Sequence, residues 1–297
     1  MKTRHFYHFA TKGWVDDILF ASPDEFIAGI NRIALCLARL GPEHPVLVIC
    51  FCLMDNHVHF ILYGTEADCE LFMYYYKQST GLWLRHHRPD YCPGSRLQAG
   101  HWLIQDKDKL RTTISYIHRN PTAAGLPTTP EGYRWSSASL LYAGNEWLLK
   151  MGRPIGSLSV HERRAILNSK EDLPADWILL PDGLVWPGHY VAYQVMERQF
   201  DSVRDYQFVL GRKVEEEINL DMHASSVSLP DGEVASLAKD LAGRLFGSRQ
   251  IGGLTVSQRL QLARRLKKES GATAKQVARI VRLKLSEVEP ILNPRRG

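Results

Sequence analysis

In the first 143 residues, segments whose hydrophobic residues have the spacing of a strand alternate with segments that have the spacing of a helix. A short strand is predicted near His5–Ala10, and a helix capped by Ser22 follows it. The next two segments, Pro45–Leu53 and His57–Tyr63, are rich in Val, Ile, Phe and Leu. Met54–Asn56 supplies turn residues between them, so we expect a hairpin.

The following segments continue this alternation. Glu66–His87 has the length of a helix, Arg88–Gly100 contains the Pro and Gly of a loop, and His101–Ile104 is a short apolar stretch. The resulting β-α-β-β-α-β order predicts a ferredoxin-like (RRM-like) α+β sandwich, an antiparallel sheet with helices on one face.

A further helix should follow the last of these strands. Asp106 or Asp108 can cap it, and we expect it to run to Arg119. Pro121 should end it, because the residue before a proline is pushed out of the helical region.

Beyond residue 143 the charge changes sharply along the chain. Residues 151–240 hold 9 basic and 15 acidic side chains, whereas residues 241–297 hold 13 basic and 3 acidic ones. Gly, Ser and Pro are frequent in residues 144–160, as in a linker. We therefore divide the chain into a first domain at 1–143, a linker and acidic accessory region of unknown role at 144–240, and a basic region at 241–297.

The basic region is predicted to form short helices at Ser257–Glu269, Ala274–Val281 and Ser286–Leu292. Three short helices with a turn glycine are typical of a helix-turn-helix, and their charge indicates DNA binding. A three-helix packing module is the alternative interpretation. The predicted DNA-binding residues are Lys275, Arg279, Arg282 and Lys284.

Several classes of protein are not favoured by the sequence. The longest apolar run, Val46–Met54, has nine residues, whereas a membrane helix needs about 20. No secretory signal is visible at the N-terminus, so we expect a cytoplasmic protein without a membrane partner. The five cysteines lack CxxC spacing, which favours reduced thiols.

Two histidines on the second predicted strand of the hairpin form a candidate metal site. Strand side chains alternate between faces, so His57 and His59 point the same way while Val58 points into the core. Two imidazoles on one face can bind one ion. A pair of ordinary surface or core histidines is the alternative.

Tyr116 and Asn120 lie near the end of the last predicted helix of this domain. Because they are four residues apart, they share one helix face. A phenol has a pKa of about 10 and attacks only where a nearby cation or base helps it to ionise. A tyrosine packed in the core is the alternative.

Two longer motifs contain these residues. Leu53–Leu62 reads LMDNHVHFIL and resembles the strand with an MxNHxH core found in HUH endonucleases with one catalytic tyrosine. Tyr116–Leu126 reads YIHRNPTAAGL and resembles the YIxxNPxxAGL element of the same family, which includes insertion-sequence transposases and their REP-associated relatives. Tyr133–Ser137, YRWSS, follows at the distance expected. The resemblance covers about residues 4–143 and implies the ferredoxin-like fold.

The resemblance also implies a chemistry. His57, His59 and Asn120 would hold Mg²⁺ or Mn²⁺, and the metal would polarise a phosphate. Tyr116 would attack phosphorus in single-stranded or hairpin DNA, giving a 5′-phosphotyrosine and a free 3′-hydroxyl, so that strands are nicked and joined. A homodimer in which Tyr116 serves its partner's site is left open.

The sequence departs from the family in Tyr91–Gly100, in Asp55, where many relatives have proline, and in the acidic region, which has no counterpart. The alternative function is a domesticated DNA-binding protein whose catalytic pocket survives but whose role is regulatory or chromosomal; the intact His57, His59, Tyr116 and Asn120 favour the enzyme. A zinc hydrolase built on the two histidines is a third, although no further ligand stands at suitable spacing nearby.

Overall fold

The computed structural model describes residues 3–11, 18–88, 99–142, 146–211, 231–270, 272 and 274–292. Contacts divide the chain into two units, Met1–Asp221 and Met222–Gly297. The division falls within the part of the sequence assigned above to a linker and accessory region. Residues 89–98, which make up most of the predicted loop Arg88–Gly100 and include Cys92, lie outside the described residues.

The first unit contains a four-stranded antiparallel sheet with the order β2-β3-β1-β4. Its strands are β1 (His5–Thr11), β2 (Leu47–Leu53), β3 (Val58–Gly64) and β4 (Ala99–Ile104). Helix α1 (Pro23–Leu40) connects β1 to β2, and helix α2 (Glu66–His87) connects β3 to β4. The predicted α+β fold and its order of elements are confirmed.

The two crossover helices cover one face of the sheet. The hydroxyl oxygen of Ser22 accepts a hydrogen bond from the backbone N–H of Glu25, as expected of the cap of α1. Phe60 in β3 packs edge-on against Phe72 and Tyr76 of α2, with ring centroids 5.8 and 4.9 Å away. Because strand side chains alternate, the neighbouring His59 faces the opposite side of the sheet.

Helix α3 (Lys107–Ala123) contacts β2 and β3 on that opposite side. Asp106 caps it by accepting a bond of 2.7 Å from the backbone N–H of Lys109. The predicted end of the helix before Pro121 is wrong, because the helix runs on to Ala123 with Pro121 inside it. A proline so close to a helix end removes only one backbone donor, and the bond from Ala124 N to Asn120 O at 2.9 Å still forms. Asn120 therefore stays helical, one turn after Tyr116.

Residues 146–211 form short elements that pack on the same unit. They are α4 (Glu146–Met151), β5 (Arg153–Pro154), α5 (Val160–Leu167), β6 (Ile178–Leu179), α6 (Tyr193–Glu197) and α7 (Val203–Leu210). Val191 bridges Val48 of β2, and Ala192 N donates to Val48 O at 2.8 Å. The side chain of Asn31 in α1 bonds Gly183 O and Val185 N, both at 2.8 Å. This segment therefore extends the core of the first unit.

The second unit is helical in its described part. Its helices are α8 (Asp231–Phe246), α9 (Val256–Ser270), α10 (Ala274–Val281) and α11 (Leu285–Leu292). The last three agree with the predicted helices to within one residue at each end. Leu262, Leu266, Val277 and Val288 are fully buried and form its apolar interior.

None of the helices described is both long and apolar enough to cross a membrane. The four cysteines in the described ranges, Cys36, Cys50, Cys52 and Cys69, are free and buried, as predicted.

Candidate metal and nucleophile site

The two predicted metal-binding histidines lie at the start of β3. His57 immediately precedes the strand and is half-buried, whereas His59 lies in the strand and is 1% exposed. Their ring centroids are 4.8 Å apart, and the two rings are perpendicular. Both imidazoles face the same side of the sheet, as their spacing predicted.

Asn120 of α3 brings a third polar group to these rings. Its Oδ1 atom lies 3.2 Å from Nε2 of His57, and its Nδ2 atom lies 3.3 Å from Nε2 of His59. The strand and the helix are 61 residues apart in sequence at this contact. Tertiary packing thus brings the three predicted ligands together.

Tyr116, the predicted nucleophile, packs against the same cluster. Its ring centroid lies 5.5 Å from that of His59, with the planes at 82°. A second ring, that of His8 in β1, lies 6.1 Å from Tyr116 at 78°. Only 8% of the Tyr116 surface is exposed, so the residue is largely buried beside these two histidine rings.

The Nδ1 atoms of both histidines are held by neighbouring side chains. His57 Nδ1 lies 2.6 Å from Oδ1 of Asn56, and His59 Nδ1 lies 3.1 Å from Nε2 of His8. Metal-binding histidines usually donate their second ring N–H to an acceptor, which fixes the ring and directs the other nitrogen to the ion. When both Nδ1 atoms donate in these bonds, both Nε2 atoms present lone pairs next to Asn120.

The electrostatic surroundings favour the neutral form of both rings. Burial lowers the pKa of His57, while the Asn120 oxygen and the charge of Asp55 oppose that change. The pKa of His59 lies well below its ordinary value because of burial, and the neighbouring His57 and His8 add to the effect. A neutral imidazole is the form that binds a metal ion.

His57 has an acceptor oxygen opposite each ring nitrogen, Asn56 Oδ1 at Nδ1 and Asn120 Oδ1 at Nε2. A neutral imidazole has a single N–H and can donate to only one of them. When it donates to Asn56, the Nε2 lone pair faces the Asn120 oxygen, and a cation between the two would attract both.

The donor set fits Mg²⁺ or Mn²⁺ better than a structural zinc ion. Two imidazole nitrogens and an amide oxygen suit a borderline-hard divalent ion that keeps further positions for other oxygen ligands. Adjacent ligands of a six-coordinate ion with bonds of about 2.1 Å lie about 3 Å apart, close to the 3.2 Å between His57 Nε2 and Asn120 Oδ1. Within the described residues, no group of three or more His, Cys, Asp or Glu side chains could hold a metal.

A buried polar cluster fixes α3 in this position. His118 Nδ1 lies 2.9 Å from the hydroxyl of Tyr206, and its Nε2 lies 3.0 Å from the hydroxyl of Ser137 and 3.3 Å from the sulfur of Cys50. Burial lowers the pKa of His118 to about 3, so its ring is neutral. The cluster links α3 to β2 and α7, and thereby sets where Tyr116 and Asn120 lie.

The predicted DNA-binding residues belong to the second unit. Arg279 is exposed on α10, and Arg282 and Lys284 are exposed in the turn before α11. Arg282 has a φ of +56°, which an L-residue rarely adopts. The side chain of Lys275 lies outside the described part of the chain.

Sequence reasoning missed His8 and gave no role to Asn56. His8 was visible only as a polar residue between the aromatic Tyr7 and Phe9 of a predicted strand. That pattern predicts the face of the sheet on which His8 lies, but not that β1 would pair with β3. The pairing places His8 diagonally across from His59.

The chain has little similarity to known proteins. No protein-family model matches the chain, and none of the curated proteins does. Among solved structures, the chain is similar to one described as "Structure of the REP associates tyrosine transposase bound to a REP hairpin". The TM-score is 0.32 at 11% identity, and the match covers 45% of this chain and 76% of that one. These values do not assign the chain to a family.

Proposed function

We propose that the protein nicks and joins single-stranded DNA through a covalent bond to Tyr116. The main observation behind the proposal is that two side chains at the start of β3 and two side chains of α3 lie in contact. The Nε2 atoms of His57 and His59 lie within 3.3 Å of the Asn120 amide, and the Tyr116 ring packs edge-on against His59.

The reaction follows from the roles of these groups. The Tyr116 oxygen attacks a phosphodiester phosphorus, a P–O bond to the tyrosine forms, and the bond from phosphorus to the 3′ oxygen breaks. The phenol loses its proton, and the departing 3′ oxygen takes one to become a hydroxyl. The 5′-phosphotyrosine keeps the energy of the phosphodiester, so a 3′-hydroxyl can reverse the step on another strand without ATP.

Three side chains would hold the metal ion. His57 and His59 would bind it through Nε2, and Asn120 through its amide oxygen. When bound, Mg²⁺ or Mn²⁺ polarises the phosphate and stabilises charge that develops on its oxygens. Asn56 and His8 keep the imidazoles oriented, and α3 keeps the nucleophile one helical turn from the amide.

The substrate should be single-stranded or lie in the unpaired part of a hairpin. A nucleophile on a helix packed against a sheet is 8% exposed and cannot reach into an intact duplex. A flexible strand can instead bring a phosphate to the site. We therefore assign single-stranded or hairpin DNA as the partner.

Detection of a covalent adduct tests the proposal. Purified protein is incubated with Mn²⁺ and a pool of labelled single strands that contain hairpins, then denatured and separated. Wild-type protein should give a DNA-linked band, with the 5′-phosphate on Tyr116 by peptide mass and a free 3′-hydroxyl on the released strand. Tyr116→Phe keeps the ring and its packing but should give no band.

Other outcomes distinguish the alternatives. An equally strong band from Tyr116→Phe would move the nucleophile to another residue. Cleavage without an adduct would indicate attack by water and an ordinary hydrolytic nuclease. Binding without any cleavage by the wild-type protein would favour the domesticated DNA-binding protein.

A further inference from the structure

A groove of about 500 Å³ runs between α8 and α9 in the second unit. Its apolar part comes from Leu241, which is buried, and Leu245, which is 43% exposed. The sides carry the four cationic side chains of Arg244, Arg264, Arg265 and Lys268. None of these four residues was singled out as a DNA contact from the sequence.

The positive charge of the groove is only partly compensated by its own acidic residue. Glu269 also lines the groove, accepts a hydrogen bond from Arg265, and lies 3.8 Å from Arg244. The lining of the groove therefore carries one carboxylate and four cationic side chains. Arg264 and Lys268 are both exposed, so their charges face solvent.

The cations of α9 form a continuous row. Lys268 follows Arg264 by four residues and Arg265 by three, so the three cations share one helix face. From Arg264 to Lys268 the row is about 6 Å long, enough to meet about two successive phosphates.

The last helix of this unit, α11, has the opposite character. The exposed residues of α11 include Glu287, Glu289 and Pro290. Glu287 accepts a hydrogen bond from the backbone N–H of Lys284, so its carboxylate covers the start of that helix. Two carboxylates on this surface repel phosphates, whereas the α8–α9 groove attracts them.

We propose that the α8–α9 groove binds the sugar–phosphate backbone of single-stranded DNA. The row of cations neutralises successive phosphates. The exposed leucine provides an apolar surface for the sugars and bases that a single strand leaves accessible. The proposal rests on the proposed function only in taking DNA as the partner, because the groove lies in the second unit and makes no use of Tyr116.

Salt-dependent binding tests the proposal in the full-length chain. All proteins carry Tyr116→Phe, so that binding is measured without cleavage, and the probe is a fluorescein-labelled single strand of 20 nucleotides. The test pair is Arg264→Gln with Lys268→Gln. The matched control is Lys150→Gln with Lys170→Gln, which makes the same charge change at exposed positions of the first unit.

The test pair should reduce the slope of log K against log salt by about 1.4, since each phosphate contact of a single strand contributes about 0.7. At 0.1 M salt this corresponds to a loss of affinity of roughly 25-fold. The control pair should leave the slope close to its starting value. The charge-conserving pair Arg264→Lys with Lys268→Arg should retain binding, which separates loss of charge from damage to the helix.

A test pair with the same slope as the control, at an unchanged melting temperature, would overturn the proposal. Loss of binding in Arg279→Gln with Lys284→Gln but not in the test pair would place the DNA contact beside α10 and overturn it as well. Absence of an adduct in wild-type protein would contradict only the proposed chemistry, because these slopes are measured without cleavage.

Discussion

His8 Nε2 lies 3.1 Å from His59 Nδ1, and both rings are 1% exposed. Only one of the two imidazoles donates the proton in this bond. When His59 donates, its Nε2 lone pair is directed at the side where Asn120 lies 3.3 Å away. His8 is thus a positioning residue in the proposed site.

His8→Phe should weaken Mn²⁺ binding about 10- to 100-fold, the usual effect of losing such a partner. His8→Gln, which offers an acceptor oxygen, should recover part of the affinity. Calorimetry measures the binding, and ¹⁵N spectra of the metal-free protein should show His59 protonated on Nδ1 in wild type but not in His8→Phe. The control is His101→Gln in β4, where His101 stacks on Phe9. Equal Mn²⁺ affinity in His8→Phe and wild type would exclude this role.

Removal of the metal should abolish adduct formation, and added Mn²⁺ or Mg²⁺ should restore it. His57→Ala or His59→Ala should prevent that recovery, because each removes one of the two nitrogen ligands. Asn120→Ala should have a milder effect, since water can replace one oxygen ligand. The yield of the adduct is measured over a titration of Mn²⁺ for the wild-type protein and for each of the three variants. Full yield from either histidine variant in the presence of a chelator would disprove the metal assignment.

The first unit should lose stability as the pH falls below about 6.5. His118 has a folded pKa of about 3 because of burial, whereas an unfolded histidine has a pKa of about 6.5. Between these values the unfolded state binds more protons, so His118 should contribute up to about 1.4 kcal/mol of destabilisation per pH unit. The lowered pKa values of His57 and His59 act in the same direction.

Urea unfolding between pH 5 and 8, followed by tryptophan fluorescence, measures this effect. All seven tryptophans lie at or before residue 186, so the signal reports the first unit. His118→Gln should be less stable at pH 8, by about 1–3 kcal/mol for hydrogen bonds lost in the core, but should show a shallower dependence on pH. A variant with the same pH slope as wild type would show that His118 is not the titrating group.

A fragment of residues 1–143 should be much less stable than one of residues 1–221. The longer fragment buries Val185, Val191 and Met196, each at most 3% exposed. Each such side chain contributes about 1.5–3 kcal/mol, and a domain has only about 5–15 kcal/mol in total. Thermal unfolding of both fragments measures the difference, and Met196→Ala in the longer one should cost about 2–5 kcal/mol. Equal melting temperatures would show that residues 146–211 contribute little.

Local sequence patterns predicted the order of the elements from β1 to α3 and the bounds of the last three helices. Hydrophobic period, caps and turn residues act within a few residues of each other, so Ser22 could be identified as the cap of α1 and Glu66–His87 as a helix. The same local rule placed His57 and His59 on one side of a strand, and Tyr116 and Asn120 on one side of a helix.

Only long-range packing brings these two pairs of residues together. The contact between β3 and α3 joins residues 61 positions apart, and it depends on packing that no local pattern encodes. Strand pairing likewise brought His8 to His59, and packing placed residues 146–211 against β2 and α1. The sequence could propose the chemistry of each residue, but the distances between them follow from the burial of the whole core.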